Sequence, residues 1–282
     1  MFYLKKLYKT RKANVIPGFG LSMGITITML SLIVLIPLFS IFVTLSGLTF
    51  AGFWQVVTDK QTVATYKVSL SCAAVASVVN VVFGILIAWI LTRYRFPFRR
   101  MLNGLIELPF ALPTAVAGIA LTTLYSDQGW IGGFFDKIGV KISYTTTGIV
   151  IAMIFIGIPF VVRSIQPVLE KLDPQYEEAA AALGASRFRI FLKVVFPEIL
   201  PAALAGFGLA FARSIGEYGS VVFIAGNIPY ETQITPLIIM NKLEQFNYTA
   251  ATSIALVMVI FAFILLFGIN LIQARINKIA RG

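Results

Sequence analysis

Histidine is absent from the 282 residues, and cysteine occurs once, as Cys72 inside an apolar run. The first absence, with acidic residues scattered along the chain, argues against imidazole-based catalysis and against a zinc or copper centre, so no metal site is expected. The second excludes an intrachain disulfide. Charge is scarce as well: 12% of the residues are Asp, Glu, Lys or Arg, against about a quarter in soluble domains. The charge that is present is one-sided, giving a net +11. The basic residues flank apolar runs and form no stripe among polar ones, which argues against nucleic acid as a partner. A Walker A glycine loop is missing, and no segment is long enough for a separate soluble domain. There is no low-complexity tract and no clear internal repeat.

Apolar length is what the chain has in quantity. It is 58% hydrophobic with a mean hydropathy of +0.88, which points to lipid as the solvent. Crossing a hydrocarbon core of ~30 Å takes about 20 mostly apolar residues in a helix. Six segments meet that length, at residues 20–46, 68–92, 104–126, 144–166, 197–225 and 248–274. Glu107 lies near the start of the third, Arg163 near the end of the fourth, and Arg213 with Glu217 inside the fifth. The runs are continuous and do not alternate at period two, so helices are expected and a barrel is not. The fold class read from this is all-α: a single polytopic membrane domain of six transmembrane helices. Lys5, Lys6, Lys9, Arg11 and Lys12 precede the first run as in a signal peptide. The uncharged stretch from Leu21 to Ser46 exceeds the ~7–15 residues of a signal core, so it reads as a retained first helix.

Lys and Arg favour the cytoplasmic side. One set of flanks carries the N-terminal cluster, then Arg93, Arg95, Arg99 and Arg100, then Arg163, Lys171, Arg187, Arg189 and Lys193, and finally Arg275, Lys278 and Arg281. The opposite set carries only Lys60, Lys67, Lys137, Lys141 and Lys242. Both termini and residues 167–196 are therefore expected in the cytoplasm, and the protein in the cytoplasmic (inner) membrane. Neutralising lipid headgroups accounts for the tails and for Arg93–Arg100 without further function.

Residues 167–196 read as a folded hairpin. Asp173 suits an N-cap, Pro174 the first helical position, and Glu177 and Glu178 the positive end of the helix dipole. Ala179 to Leu183 are strong helix formers, and Gly184 suits the residue after a helix end. Ser186 can cap a second helix, in which Phe188, Phe191, Leu192 and Val195 would form an apolar stripe opposite Arg187, Arg189 and Lys193. Pro197 reads as the turn into the fifth span.

Permease subunits of ABC importers carry a cytoplasmic motif of the form E-A-A-x3-G-x9-I-x-L-P, and this hairpin resembles it. Glu178, Ala179 and Ala180 are followed after three residues by Gly184, and after nine more by Val194, Phe196 and Pro197, with Val and Phe in place of Ile and Leu. The resemblance implies an ATPase-coupling role for Glu178, Ala179, Ala180, Gly184, Ser186 and Arg187. An ordinary interfacial amphipathic helix is the plainer alternative. Four further blocks, "AWILTRYRFPFRR" (88–100), "ELPFALPTAVAGIAL" (107–121), "IPFVVRSIQPVLEKLDPQYEEAAAALGAS" (158–186) and "FARSIGEYGSVVFIAGNIPYETQITPLII" (211–239), are similar to sulfate/thiosulfate permease subunits. The related molybdate permeases have similar blocks around the glutamate-glycine part of span five, so a molybdate or tungstate importer is the alternative. The resemblance implies an ATP-driven importer in which this chain, itself no enzyme, forms half the pore. Its implied partners are an ATPase dimer, a related second permease and an extracytoplasmic sulfate-binding protein. No cofactor is expected on this chain; ATP and Mg²⁺ belong to the ATPase.

Within the third span, Pro109 and Pro113 remove backbone hydrogen bonds and bend the helix, either to line a path or to pack. Arg213 and Glu217, four apart, share a helical face. They form either a structural ion pair, the reading preferred because a buried pair cancels its own field, or part of an anion path with Ser214 and Ser220. The small residues of Ser69–Ser77 and Ala202–Ala210 suit helix contacts. Two rival classes are a secondary anion transporter, which needs its own coupling-ion site, and a channel, which needs a filter. Neither accounts for the hairpin.

Overall fold

The computed structural model describes residues 19–279, with side chains to Arg275. The basic cluster Lys5–Lys12 and Arg281, which enter the orientation argument, lie outside the described residues. Twelve helical elements follow one another: α1 (Phe19–Leu45), α2 (Phe50–Val57), α3 (Lys60–Arg93), α4 (Arg99–Ala111), α5 (Thr114–Tyr125), α6 (Gly132–Asp136), α7 (Thr146–Lys171), α8 (Pro174–Ala182), α9 (Arg187–Ile215), α10 (Val221–Ile224), α11 (Thr235–Glu244) and α12 (Tyr248–Ile279). No strand occurs among the described residues. Five of the helices, α1, α3, α7, α9 and α12, are long and apolar enough to cross a bilayer, and α4 with α5 makes a sixth when taken as one bent span. The all-α multi-span class expected above is thus observed.

Two compact units divide at Gly47/Leu48. The first contains α1, a continuous apolar helix with one wide π-turn at Ser31–Leu35 just before Pro37. Proline lacks the N–H of the ladder and its ring crowds the carbonyl four residues back. A π-turn, closed here by Ile36 N–H on Ser31 O, relieves that crowding without breaking the helix.

The second unit is built on α3, α7 and α9. Asp59 caps α3 by accepting from the amides of Gln61 (3.0 Å) and Thr62 (3.3 Å). The buried face of α3 is a run of small residues, among them Ser69, Ala73, Ala76, Ser77, Gly84 and Ala88. Apolar burial alone does not drive helices together in lipid; close backbone approach does. A Cβ at Gly84 would fall 2.6 Å from Val161 Cγ1, and one at Gly206 only 2.9 Å from Val161 Cα. The three helices therefore meet around Val161. Large apolar side chains such as Phe83, Leu86, Phe263 and Phe267 point outward instead, as a lipid-solvated protein requires.

Several expected boundaries differ. The second span starts at Lys60 and the fourth ends at Lys171, each longer than the apolar run. The third is not one kinked helix. It breaks at Leu112–Pro113 with a bend of 112°, because the residue before proline is driven to extended geometry (φ −84°, ψ 135°). Pro109 sits inside α4. The fifth span runs Arg187–Ile215 rather than 197–225. Pro197 does not mark a turn, because a second π-turn at Phe191–Val195, closed by Phe196 N–H on Phe191 O, accommodates it. At the other end Gly216 stops the helix, and only the short α10 follows.

Candidate functional site

The hairpin forms as its local signals predict. Asp173 accepts from the Gln175 amide at 3.0 Å and Pro174 occupies the first helical position. At the far end Gly184 has φ +81°. Its amide bonds Ala181 O (2.9 Å) and the Ala185 amide bonds Ala180 O (3.1 Å), which is the Schellman pair that satisfies the last carbonyls of a helix. Among the described residues nothing lies within 4 Å of a Cβ placed on Gly184, so conformation and not space demands glycine there. Ser186 accepts from the Arg189 amide at 3.4 Å and opens α9.

The second half of the hairpin is continuous with the fifth span, and its apolar stripe is not the one expected. Phe188 is 72% exposed, whereas Ile190 and Val195 are buried. The π-turn shifts the phase of the helix, so an i, i+3, i+4, i+7 count begun at Phe188 does not follow one face. Leu183 is 90% exposed and Tyr176 is 63% exposed. Glu178, Ala179, Gly184, Ser186 and Arg187 are also exposed, and Ala180 is half-buried. Glu178 makes no ion pair among the described residues. The residues singled out from the motif are therefore accessible, Ala180 only in part, with large apolar neighbours exposed beside them.

Behind that surface the hairpin is tied to the bundle by a residue that sequence reasoning left among the headgroup flanks. Arg93, at the end of α3, donates from Nη2 to Glu177 Oε1 (2.6 Å) and to Leu172 O (3.2 Å). Its guanidinium lies 5.8 Å from the centre of the Trp89 ring. Nearby, Arg163 of α7 pairs with Glu107 of α4 and donates to Gln166 Oε1 at 3.1 Å. Both are pairings distant in sequence, for which the chain offers no local signal.

The other candidates gather where α5 begins. A Cβ at Gly118 would fall 2.5 Å from Ser220 O, and one at Gly219 2.1 Å from Thr114 Oγ1. The first turns of α5 thus rest directly on the segment after α9. Arg213 Nη1 and Glu217 Oε2 are 2.6 Å apart, with side chains 34% and 2% exposed. They do not share a helix, since α9 ends at Ile215 and Glu217 lies in the following turn. Glu217 Oε1 also accepts from Ser220 N (2.8 Å) and Oγ (2.9 Å). Ser214 and Ser220 are buried, and Ser214 Oγ has no partner among the described residues. Pro113 is exposed and Pro109 half-buried. In the segment between α5 and α7, Lys141 and Asp127 pair at 3.0 Å, and that hydrogen bond raises the Lys141 ammonium above its ordinary pKa. Among the described residues no cluster of ligating side chains could hold a metal.

The described residues thus form a bundle of apolar helices with a broken third span and a hairpin leading into the fifth, the architecture of a multi-span membrane protein. Residues 80–281 match the family described as "Binding-protein-dependent transport system inner membrane component", and the chain belongs to that family. Systems of this family pair the permease with a separate ATPase and an extracytoplasmic binding protein, so this chain is the non-catalytic, multi-pass component in the inner membrane. It is 52% identical to a sulfate transport system permease protein CysT of Salmonella typhimurium, over 94% of this chain and 96% of the relative. The corresponding protein of Escherichia coli is 50% identical over 96% and 98%, and that of Synechocystis sp. 45% over 88% and 87%. The resemblance carried by the four blocks is thereby borne out. Among solved structures, a bacterial alginate ABC transporter in complex with a pentasaccharide-bound periplasmic protein matches with a TM-score of 0.77, covering 92% of this chain and 94% of that one. The MetNI methionine transporter in an inward-facing form matches at 0.60, covering 81% and 99%. At 16% identity each, these two speak to the fold alone.

Proposed function

We propose that this chain is the membrane subunit of an ATP-driven, binding-protein-dependent importer for sulfate or thiosulfate, and that it docks its ATPase through the 174–196 hairpin. The observation that carries the docking is the open surface of that hairpin. Leu183, Phe188 and Tyr176 are large apolar groups held outward on a turn built from caps and a left-handed glycine. Such a surface needs a partner. Alanines at 179–182 let another protein approach closely. The anion assignment rests on the relatives at 45–52% identity named as sulfate permeases.

In this reading both termini and the hairpin face the cytoplasm, and a related second permease completes the pore. Closure of an ATPase dimer displaces the hairpin and switches the pore between inward- and outward-facing states. Coupling then rests on the ATPase binding the two states with different affinity. The junction of α5 with Gly219 and Ser220 is the part of the path best suited to open and close, because it joins a broken helix to a turn. The test is uptake of labelled sulfate into proteoliposomes holding the complex. Uptake that requires internal ATP and the binding protein, and that excess molybdate leaves unchanged, supports the proposal. Uptake independent of ATP refutes the importer reading, and preferential molybdate uptake refutes the sulfate assignment.

A further inference from the structure

The chain itself links α8 to α7 through Asp173 and to α9 through Gly184 and Ser186, so those two helices must follow any movement of the hairpin. Helix α3 has no such covalent link. Yet α3 is packed along α7 and α9 and forms one side of the core. Its connection to α8 is Arg93, the one ion pair between these two helices among the described residues. Helix α8 buries none of its residues. A cleft of about 640 Å³ opens beside it between the C-terminal end of α7 and the N-terminal part of α9, lined by Val168, Leu172, Tyr176 and Val194 together with the charged Lys171, Asp173, Lys193 and Glu198. There is room for α8 to shift, and little packing to carry that shift elsewhere.

Arg93 is built to hold three places at once. Its side chain is 16% exposed and that of Glu177 22% exposed, so solvent screens the pair less than an open surface bridge. Leu172 O belongs to the C-terminal end of α7, where a cation satisfies an orphan carbonyl and meets the negative end of the helix dipole. Trp89, one turn back on α3, supports the guanidinium from below. Both bonds leave the single nitrogen Nη2, and the flat guanidinium also faces Trp89, a contact that an ammonium makes less well.

We propose that Arg93 is a positioning residue for transport, which carries the displacement of the coupling hairpin into α3 so that the three core helices move together. This rests on the reading of the hairpin as the ATPase dock, and it assigns Arg93 and Glu177 a role in transmission, not in docking. The experiment compares Arg93→Gln and Glu177→Gln with wild type in the reconstituted complex. It reads three quantities: ATPase subunit retained on purification, ATP hydrolysed, and sulfate imported per ATP. Transmission predicts full retention and hydrolysis within about twofold, with import per ATP down about tenfold, inside the ~5–150-fold range of ordinary coupling energies. Arg93→Lys, which keeps the charge but loses the flat guanidinium beside Trp89, recovers part of the ratio. Unchanged import per ATP in both Gln variants overturns the proposal. So does loss of the ATPase, or a fall of hydrolysis and import in proportion, because Arg93 would then merely hold the fold. Failure of the docking reading shows separately, in a Leu183→Glu variant that keeps both its ATPase and its transport.

Discussion

Gly184→Val perturbs the hairpin at the point where one backbone angle decides its shape. Gly184 sits at φ +81° with open space around its Cα, so the substitution meets no neighbour and acts through the backbone alone. Holding a branched residue there costs about 1–3 kcal/mol. Escaping that cost by moving φ breaks the bonds from Gly184 to Ala181 O and from Ala185 to Ala180 O, worth about 0.5–1.5 kcal/mol each. Either route lowers the population of the docked hairpin by roughly 5- to 150-fold. Because space is open, the order of a series follows left-handed propensity: Asn is mildest, Ala intermediate and Val most severe. The assay is co-purification of the ATPase together with sulfate uptake, each normalised to permease inserted in the membrane. Wild-type behaviour of Gly184→Val, or an Asn variant worse than Val, would refute the reasoning.

Three further outcomes follow from the same geometry. A cysteine at Tyr230, 61% exposed, in a Cys72→Ala background reacts with an impermeant thiol reagent in intact cells, and one at Ser186 does not; the reverse pattern overturns the orientation. Arg213→Ala strips the cation from Glu217, whose side chain is 2% exposed, and costs about 3–5 kcal/mol at most, less for the opening at Arg213, so assembled complex falls; Arg213→Ala with Glu217→Ala restores assembly and much of the uptake, and an assembled but inactive double variant instead places Arg213 in the anion path. Gly118→Ala drives a methyl against Ser220 O at 2.5 Å and lowers both thermal stability and uptake, whereas Gly104→Ala, with nothing within 4 Å, leaves both unchanged.

The hairpin was readable from sequence because its determinants are local. Asp173, Gly184 and Ser186 each act on amides or carbonyls within a few residues, Pro174 occupies the first helical position, and each does so in the structure. The apolar runs were readable as spans for the same reason, since length and polarity are local sums. Their ends were not. Lipid tolerates any apolar stretch, but whether the backbone within it stays helical depends on single residues: Pro113 broke a run that looked continuous, and Gly216 ended another about ten residues early. Pro197 misled in the opposite direction, because a π-turn absorbed it. That same turn moved Phe188 from the expected buried stripe to the open surface. Arg93 and Glu177 lie 84 positions apart, and nothing short of the packed bundle brings them together. Glu177 read alone is a helix-dipole residue, and Arg93 read alone is a lipid-facing flank.

Docking of the ATPase on the hairpin is the central claim, and disulfide cross-linking tests it most directly. Leu183→Cys in the Cys72→Ala background, with single cysteines scanned across the surface of the ATPase subunit, should give a permease–ATPase product in membranes under mild oxidation. Its yield should change when ATP is trapped on the ATPase, and Tyr230→Cys should give none. Absence of the product from Leu183→Cys in a complex that still imports sulfate on ATP would contradict the account.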